Sequence, residues 1–223
     1  CENGFPNPEQ AIEPLLSITV KNHQSKKFVV WGVGKFNNNR DDVTYVECES
    51  ELHLLKEFLI FWEKHQPDII TGWNTEFFDI PYLCNRIKNL CGEEEIRRLS
   101  PWKNVSSRSV FKMGRNHQLY DIQGIAHLDY FDLYRKFTYV AQESYRLDHI
   151  AFIELGERKD GNPYETFRDW YTKDFQSFIE YNIMDVEIVD KLEDKMKLIE
   201  LCLTMAYDAK VNYMDVLGSV KYW

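Results

Sequence analysis

The sequence predicts an α/β fold: a mixed sheet flanked by helices, with a basic β-hairpin inserted. Three observations predict it. Short apolar, β-branched runs lie near the start, and a strand-like run, a loop and a helix follow in the middle. A long amphipathic helical stretch closes the chain. The 223 residues suit one large domain or two small ones. With 44% apolar residues, 14 Phe, 13 Tyr and 6 Trp, a sizeable core can form, which excludes disorder for most of the chain.

The opening, Cys1 to Pro14, holds Gly4, Pro6, Pro8 and Pro14 and reads as irregular. Leu15 to Val20 and Phe28 to Val33 are joined by Asn22-His23-Gln24-Ser25, the pattern of an antiparallel hairpin, and Thr44 to Glu47 suits a further short strand. A helix is predicted from Glu51 to Lys64 with Leu52, Leu55, Phe58, Leu59 and Trp62 on one stripe, and Pro67 stops it. Asp68 to Gly72 is a short apolar run typical of a strand buried on both faces. After Trp73 to Asp79 comes a helix with Pro81 in its first turn and Leu83, Ile87 and Leu90 as its buried stripe. Val105 to Lys112 and Gln118 to Ile122 flank Met113-Gly114-Arg115-Asn116 as a second hairpin. Ile125 to Tyr130 is a predicted strand, Tyr145 to Leu155 a helix, and Thr172 to Ala206 a long helix capped by Thr172 or Asp174.

The net charge of −9 argues against a nucleic-acid-coating protein as a whole. Yet Ile96 to Tyr120 holds Arg97, Arg98, Lys103, Arg108, Lys112 and Arg115 and no acid, so this segment carries +6 and the remainder −15. A charge run is usually a solvated loop, but segregation this clean favours a phosphate-facing element on an acidic body. The five cysteines form no C-x-x-C pair, so they read as buried or incidental thiols rather than as a disulfide framework or zinc site. No apolar run reaches membrane-span length and no leader pattern opens the chain, so the expectation is a soluble protein with no membrane partner.

Two carboxylates carry the chemistry. Asp185 falls within the stripe Phe178, Tyr181, Asp185, Ile188, Leu192, Met196, Ile199 and Leu203 of the long helix. A buried carboxylate must be compensated, and on this helix alone a salt bridge or a hydrogen bond explains it best. Asp79 closes Gly72-Trp73-Asn74-Thr75-Glu76-Phe77-Phe78-Asp79, past the carboxyl end of a strand and before a helix, where ligand sites of α/β sheets lie. Taken alone it reads as a helix N-cap, a role compatible with metal ligation.

Together, N-x-x-x-F-D and, about a hundred residues later, Y-x-x-x-D resemble the second and third exonuclease motifs of family B DNA polymerases, which are ribonuclease H-like 3′–5′ exonucleases. Within that family, several stretches look like the replicative polymerases of T-even-type bacteriophages. They are Thr71 to Asn74, Ile80-Pro81-Tyr82, Asn85-Arg86, His127 to Tyr134 and Tyr181 to Glu187, with Gly4-Phe5-Pro6 near the start and Met205 to Trp223 at the end. The resemblance implies a ribonuclease H-like fold over 1–206, with the hairpin insert at about 103–122, and a connection to a polymerase palm over 207–223.

It also implies proofreading by hydrolysis of 3′-terminal phosphodiesters with two divalent ions, Mg²⁺ or Mn²⁺, about 3.5–4 Å apart. Asp79 and Asp185 match metal ligands, and Tyr181 matches the tyrosine that orients the attacking water. Asn74 and Phe78 fall where the family meets the 3′-terminal nucleotide. Arg108, Lys112 and Arg115 lie in the hairpin that holds separated strands, where Phe111 and Tyr120 offer rings for unpaired bases to stack on or simply pack the hairpin. Implied partners are single-stranded DNA or a primer-template 3′ end, the rest of the polymerase chain, a sliding clamp and other replisome proteins, in the cytoplasm of an infected bacterial host. The family's other two carboxylates come from an Asp-x-Glu on the first β-strand, just upstream of sequence like Gly4-Phe5-Pro6, and this chain begins after it. The expectations are a sheet lacking its first central strand, a slot beside the Leu15–Val33 hairpin, and a chain that by itself is impaired or inactive.

Overall fold

The computed structural model describes residues 6–112, 114–157 and 164–218. Strands β1 (Ser17–Asn22) and β2 (Lys27–Gly32) form the expected antiparallel hairpin, with Ser17 opposite Gly32 and Asn22 opposite Lys27. The Asn22 side chain accepts from the Ser25 N–H to close the turn. Strand β3 (Val43–Glu47) runs parallel to β2, giving the order β1-β2-β3.

Both faces of β2 are covered, which is why its sequence is almost continuously apolar. Phe28 and Val30 pack with Ile179 and Ile183, whereas Trp31 packs against Phe58 and Phe61. The latter belong to helix α1 (Glu51–His65), whose N-cap Ser50 accepts from the His53 N–H. The buried face of α1 is Leu54, Leu55, Phe58, Leu59 and Trp62, while Leu52, expected inside, is 40% exposed. At the first turn Glu51 faces inward instead, because it meets Arg86. Trp62 donates its indole N–H to the Leu99 carbonyl at 2.8 Å in the core. Trp62→Phe strands that carbonyl and is expected to cost about 1–3 kcal/mol, read by urea unfolding.

Strand β4 is only Ile69–Ile70, and both residues are half-buried, so the five-residue, doubly covered strand expected here is not found. It pairs in parallel with β5 (Ala126–His127), and hydrogen bonds continue beyond both, from Ala126 N to Asp68 O, Leu128 N to Ile70 O and Tyr130 N to Gly72 O. Among the described residues β4 pairs with β5 alone, and this pair is not bonded to β1-β2-β3.

Helix α2 (Asp79–Cys91) begins with Phe78 as N-cap, so Asp79 is its first residue rather than its cap. Its buried face is Pro81, Tyr82, Cys84, Asn85 and Ile87; Leu83 is half-buried and Leu90 is 41% exposed, against expectation. The cause is polar: Tyr82 donates to the Glu13 carbonyl, Asn85 to that of Pro8, and Arg86 to those of Ala11 and Ile12. The face of α2 therefore turns toward the irregular N-terminal segment. A 3₁₀ stretch, Glu93–Leu99, follows.

The basic hairpin pairs Val105–Lys112 with Arg115–Ile122, and Lys112 lies opposite Arg115. Its connection is thus the two residues Met113-Gly114 rather than four, with Gly114 at φ 79°, where a side chain would be strained. Met113 lies outside the described residues, as does the side chain of Arg115.

The expected strand Ile125 to Tyr130 ends at His127 because Asp129 caps helix α3 (Tyr130–Phe137). Helix α4 (Leu147–Leu155) follows. The single long helix expected from Thr172 to Ala206 is three: α5 (Phe167–Lys173), α6 (Phe175–Met196) and α7 (Leu198–Ala209). Asp174 breaks the first junction with φ −146° and caps α6, so Thr172 lies inside α5 and is not the cap; Lys197 breaks the second at φ 54°. The buried face of α6 is Ile179, Ile183, Ile188, Val189, Leu192 and Glu193; Ile188 and Leu192 are where the stripe was expected, while in the first half Ile179 and Ile183 are buried instead of Phe178, Tyr181 and Asp185. Phe178, Tyr181 and Asp185 are half-buried at its margin. The first half of α6 covers β2, and the second packs with α3, α4 and α7 through Leu133, Ile150 and Cys202. Cys48, Cys84, Cys91 and Cys202 are free thiols, and Cys1 lies outside the described residues. No described helix is long and apolar enough to cross a membrane.

Candidate active site

The loop from Gly72 to Phe78 is anchored nearly residue by residue. Trp73 donates its indole N–H to the Tyr145 carbonyl at 3.0 Å and sets its ring edge-on to Phe131. Asn74 has a left-handed backbone, φ 63°, which an asparagine tolerates better than most residues. Thr75 Oγ1 lies 2.9 Å from His127 Nε2. Burial drives the His127 pKa down to about 4, so this imidazole is neutral near pH 7.

Asp129 holds this loop and is 2% exposed. Its Oδ1 accepts from the N–H groups of Asn74 (2.9 Å) and Phe131 (3.0 Å), and its Oδ2 from that of Glu76 (2.8 Å). Burial raises its pKa to about 6, against the pull of those three donors. Sequence reasoning missed Asp129. An Asp just before a helical run signals an N-cap, but the hold on a loop some fifty residues earlier depends on the parallel pairing of β4 with β5.

Asp79 is exposed to solvent yet ringed by protein on its other sides. Its pKa is pushed up to about 7, first by desolvation and second by the charge of Asp129. Solvent access on the open side limits the desolvation effect. The structure thus pairs Asp79 electrostatically with Asp129. Phe78 stacks on Tyr82 with ring centres 5.9 Å apart, and Asn74 is exposed beside it. Tyr181 meets the Trp170 ring edge-on at 4.9 Å; its hydroxyl pKa is raised by burial first and by Asp148 second. Among the described residues the group of three that comes within metal-ligand reach is a different one, His23, Asp190 and Asp194, already bridged by the ammonium of Lys26.

Acids outside the basic segment answer most of its charge. Arg108 contacts Glu76 and Asp121, Lys112 lies over the Phe77 ring and 3.8 Å from Asp132, and Lys103 and Arg98 share Glu63. Tyr120 is buried and donates to Asn85 at 2.5 Å, so it offers no stacking face for a base, whereas Phe111 is 73% exposed.

A proton-linked stability follows from Asp79. A carboxyl whose folded pKa is raised favours the folded state while protonated, and that advantage is lost as pH rises through about 7. Asp79→Asn is therefore expected to raise the melting temperature at pH 8 without divalent ions and to bring no gain at pH 4. After discounting for solvent access, the gain is about 1 kcal/mol, or about 3 °C. Added Mg²⁺ should stabilise the parent chain and not the variant; scanning calorimetry at both pH values reads each effect.

An α/β scaffold with an acid at the start of a helix beyond a short parallel strand places that acid where such folds hold their ligand sites. A family model described as DNA polymerase family B, exonuclease domain, matches residues 1–150, and the chain belongs to that family. It is similar to the DNA-directed DNA polymerase of Escherichia phage RB69, 35% identical over a 248-residue alignment covering 99% of this chain and 27% of that protein. The DNA-directed DNA polymerase of Enterobacteria phage T4 is 37% identical over 186 residues, 82% of this chain and 20% of that protein. The DNA polymerase catalytic subunit of Human herpesvirus 7 (strain JI) is 28% identical over 177 residues, covering 74% of this chain. The chain thus spans about a quarter or less of the length of these relatives.

Proposed function

We propose that this chain is the proofreading 3′–5′ exonuclease unit of a phage-type family B DNA polymerase, hydrolysing 3′-terminal phosphodiesters of single-stranded or mismatched DNA. The observation that carries the reading is Asp79, an exposed carboxylate of raised pKa at the first residue of α2, in a chain of this family. A carboxylate pressed toward protonation by desolvation first and by a neighbouring acid second fits a divalent cation, whose charge relieves that pressure. When bound, two Mg²⁺ or Mn²⁺ ions supply an activated water and stabilise charge on the leaving 3′ oxygen.

Asp79 and Asp185 hold the ions in this reading, and the Tyr181 hydroxyl orients the water. Asn74 and Phe78 meet the terminal nucleotide, the ring giving the base an apolar face. Arg108, Lys112 and Arg115 steer the strand, the first two by exchanging acid partners for phosphate. Residues 1–206 form a ribonuclease H-like unit, and 207–223 lead toward a polymerase palm. A strand between β1 and β4 joins the two sheets into one and brings the Asp-x-Glu pair that completes four carboxylates. DNA and the remainder of a polymerase are the partners, with a sliding clamp and replisome proteins beyond them, inside an infected bacterial cell.

The test is release of a labelled 3′-terminal nucleotide from single-stranded DNA with Mg²⁺ or Mn²⁺. This chain is compared with the same chain preceded by a strand carrying Asp-x-Glu. Activity restored only by that strand supports the four-carboxylate reading. Equal release by both overturns it, because another acid must then complete the site. Silence in both favours a scaffold that positions DNA without cutting it.

A further inference from the structure

We propose that Asp129 is the positioning residue of this site, fixing residues 74–76 in the shape that presents Asn74, and after it the Phe78–Asp79 start of α2, to a bound 3′ end. What the loop faces rests on the nuclease reading above; what holds the loop rests on geometry alone.

Asp129 acts by its charge on Asp79, yet it is built as a clamp and not as a ligand. Both oxygens are turned onto backbone N–H groups, two of them in the loop and one at the start of α3, and the side chain is 2% exposed. Three charge-assisted hydrogen bonds use most of the acceptor capacity of a carboxylate, and Thr75 Oγ1 lies a further 3.5 Å from Oδ2. The clamp also explains a strained backbone. A left-handed Asn74 costs about 1 kcal/mol and persists only where its surroundings over-determine it. Bonds to the N–H groups on either side of Thr75 do so. Because Asp129 also caps α3, the loop is tied to a helix that packs into the core through Leu133 and Tyr134. Position is thus transmitted from the core to a surface side chain through one buried carboxylate.

Asp129→Asn places an N–H donor against the Glu76 N–H, and Asp129→Ser keeps a helix cap while falling short of the loop. In this chain, both variants should speed hydrogen exchange at the Asn74 and Glu76 amides at least about tenfold, with the Leu54 and Ile87 amides unchanged. The Phe131 amide should stay protected in both variants, because Asn and Ser each keep an oxygen that caps α3. Affinity for an oligothymidylate ending in a 3′ hydroxyl should fall about tenfold in either variant. In an Asn74→Ala background it should fall no further, since both changes then remove the same interaction.

Unchanged exchange at Asn74 and Glu76 overturns the clamp itself. Losses that multiply in the double variant, or exchange that quickens throughout the core, assign Asp129 a general structural role and overturn positioning. Quickened loop exchange with no affinity change in Asn74→Ala overturns the nucleotide contact, and with it the role in presenting Asn74, while leaving the clamp demonstrated. The exchange and binding arms therefore fail separately.

Discussion

Asp185→Ala, made in this chain extended at its N-terminus by an Asp-x-Glu strand, is expected on the proposed nuclease reading to lower release of the 3′-terminal nucleotide by at least about a thousandfold. The same loss is expected for Asp79→Asn. Removing one carboxylate of a two-ion site forfeits several kcal/mol of transition-state stabilisation, and about 4 kcal/mol corresponds to a thousandfold in rate. Tyr181→Phe should cost less, about ten- to a hundredfold, because a hydroxyl that orients water leaves the ions in place. Single-turnover release with excess protein reads all three without interference from binding. Asp185→Ala with full activity would remove that residue from the site. Asp185 sits half-buried at the margin of the α6 core face, so truncating it should leave the helix intact, and circular dichroism separates lost chemistry from lost folding.

Arg86→Ala is expected to be the most destabilising polar change in the N-terminal half. The Arg86 guanidinium grips both oxygens of Glu51 at 2.5 and 2.6 Å and also donates to the carbonyls of Ala11 and Ile12, each at 3.0 Å. The two side chains are only 12% and 13% exposed, and Glu51 also accepts from the Leu15 N–H. Truncation leaves a largely buried carboxylate without its cation, the Ile12 carbonyl without this donor and the Ala11 carbonyl with the longer 3.4 Å bond from Asn89. A loss of about 3–5 kcal/mol follows, or roughly 10 °C in melting temperature at this size. Arg86→Lys keeps the charge but not the planar fork and should recover only part of it. Because Arg86 holds the segment leading into β1, limited proteolysis should cut that segment first in the variant. Equal stability of variant and parent would show that the N-terminal segment is anchored by other contacts.

Much of the fold was legible. The β1–β2 hairpin, the Ser50-capped helix α1, the strand–loop–helix at β4 and α2 and the basic hairpin lie within a few residues of where periodicity and turn chemistry put them. These are local decisions, and alternation, capping and turn residues encode them within a few positions. The errors share a cause. Leu52 and Leu90 were expected inside but are exposed, because Glu51 and Arg86 draw α1 and α2 together by charge and turn the α2 face toward Pro8 and Glu13. Apolar periodicity cannot show a polar face that is buried. Asp174, one of the two cap candidates, caps α6, whereas the helix break at Lys197 was missed because the apolar stripe runs on through that junction.

For the site, the sequence by itself determined which residue types stand where: Asn74, Phe78 and Asp79 beyond a short strand, Tyr181 and Asp185 one turn apart on a helix. It also pointed to the family, which the match over residues 1–150 bears out. Tertiary structure alone decided that Arg108 and Lys112 already have acid partners, that Tyr120 is sealed in the core, and that Asp129 reaches back to hold the Asn74 loop. The physical reason is the reach of the forces involved. Capping and periodicity act over one turn or one strand. Charge pairing and the filling of buried N–H groups are settled only when segments distant in sequence meet, and each buried charge must then find whichever partner the fold delivers.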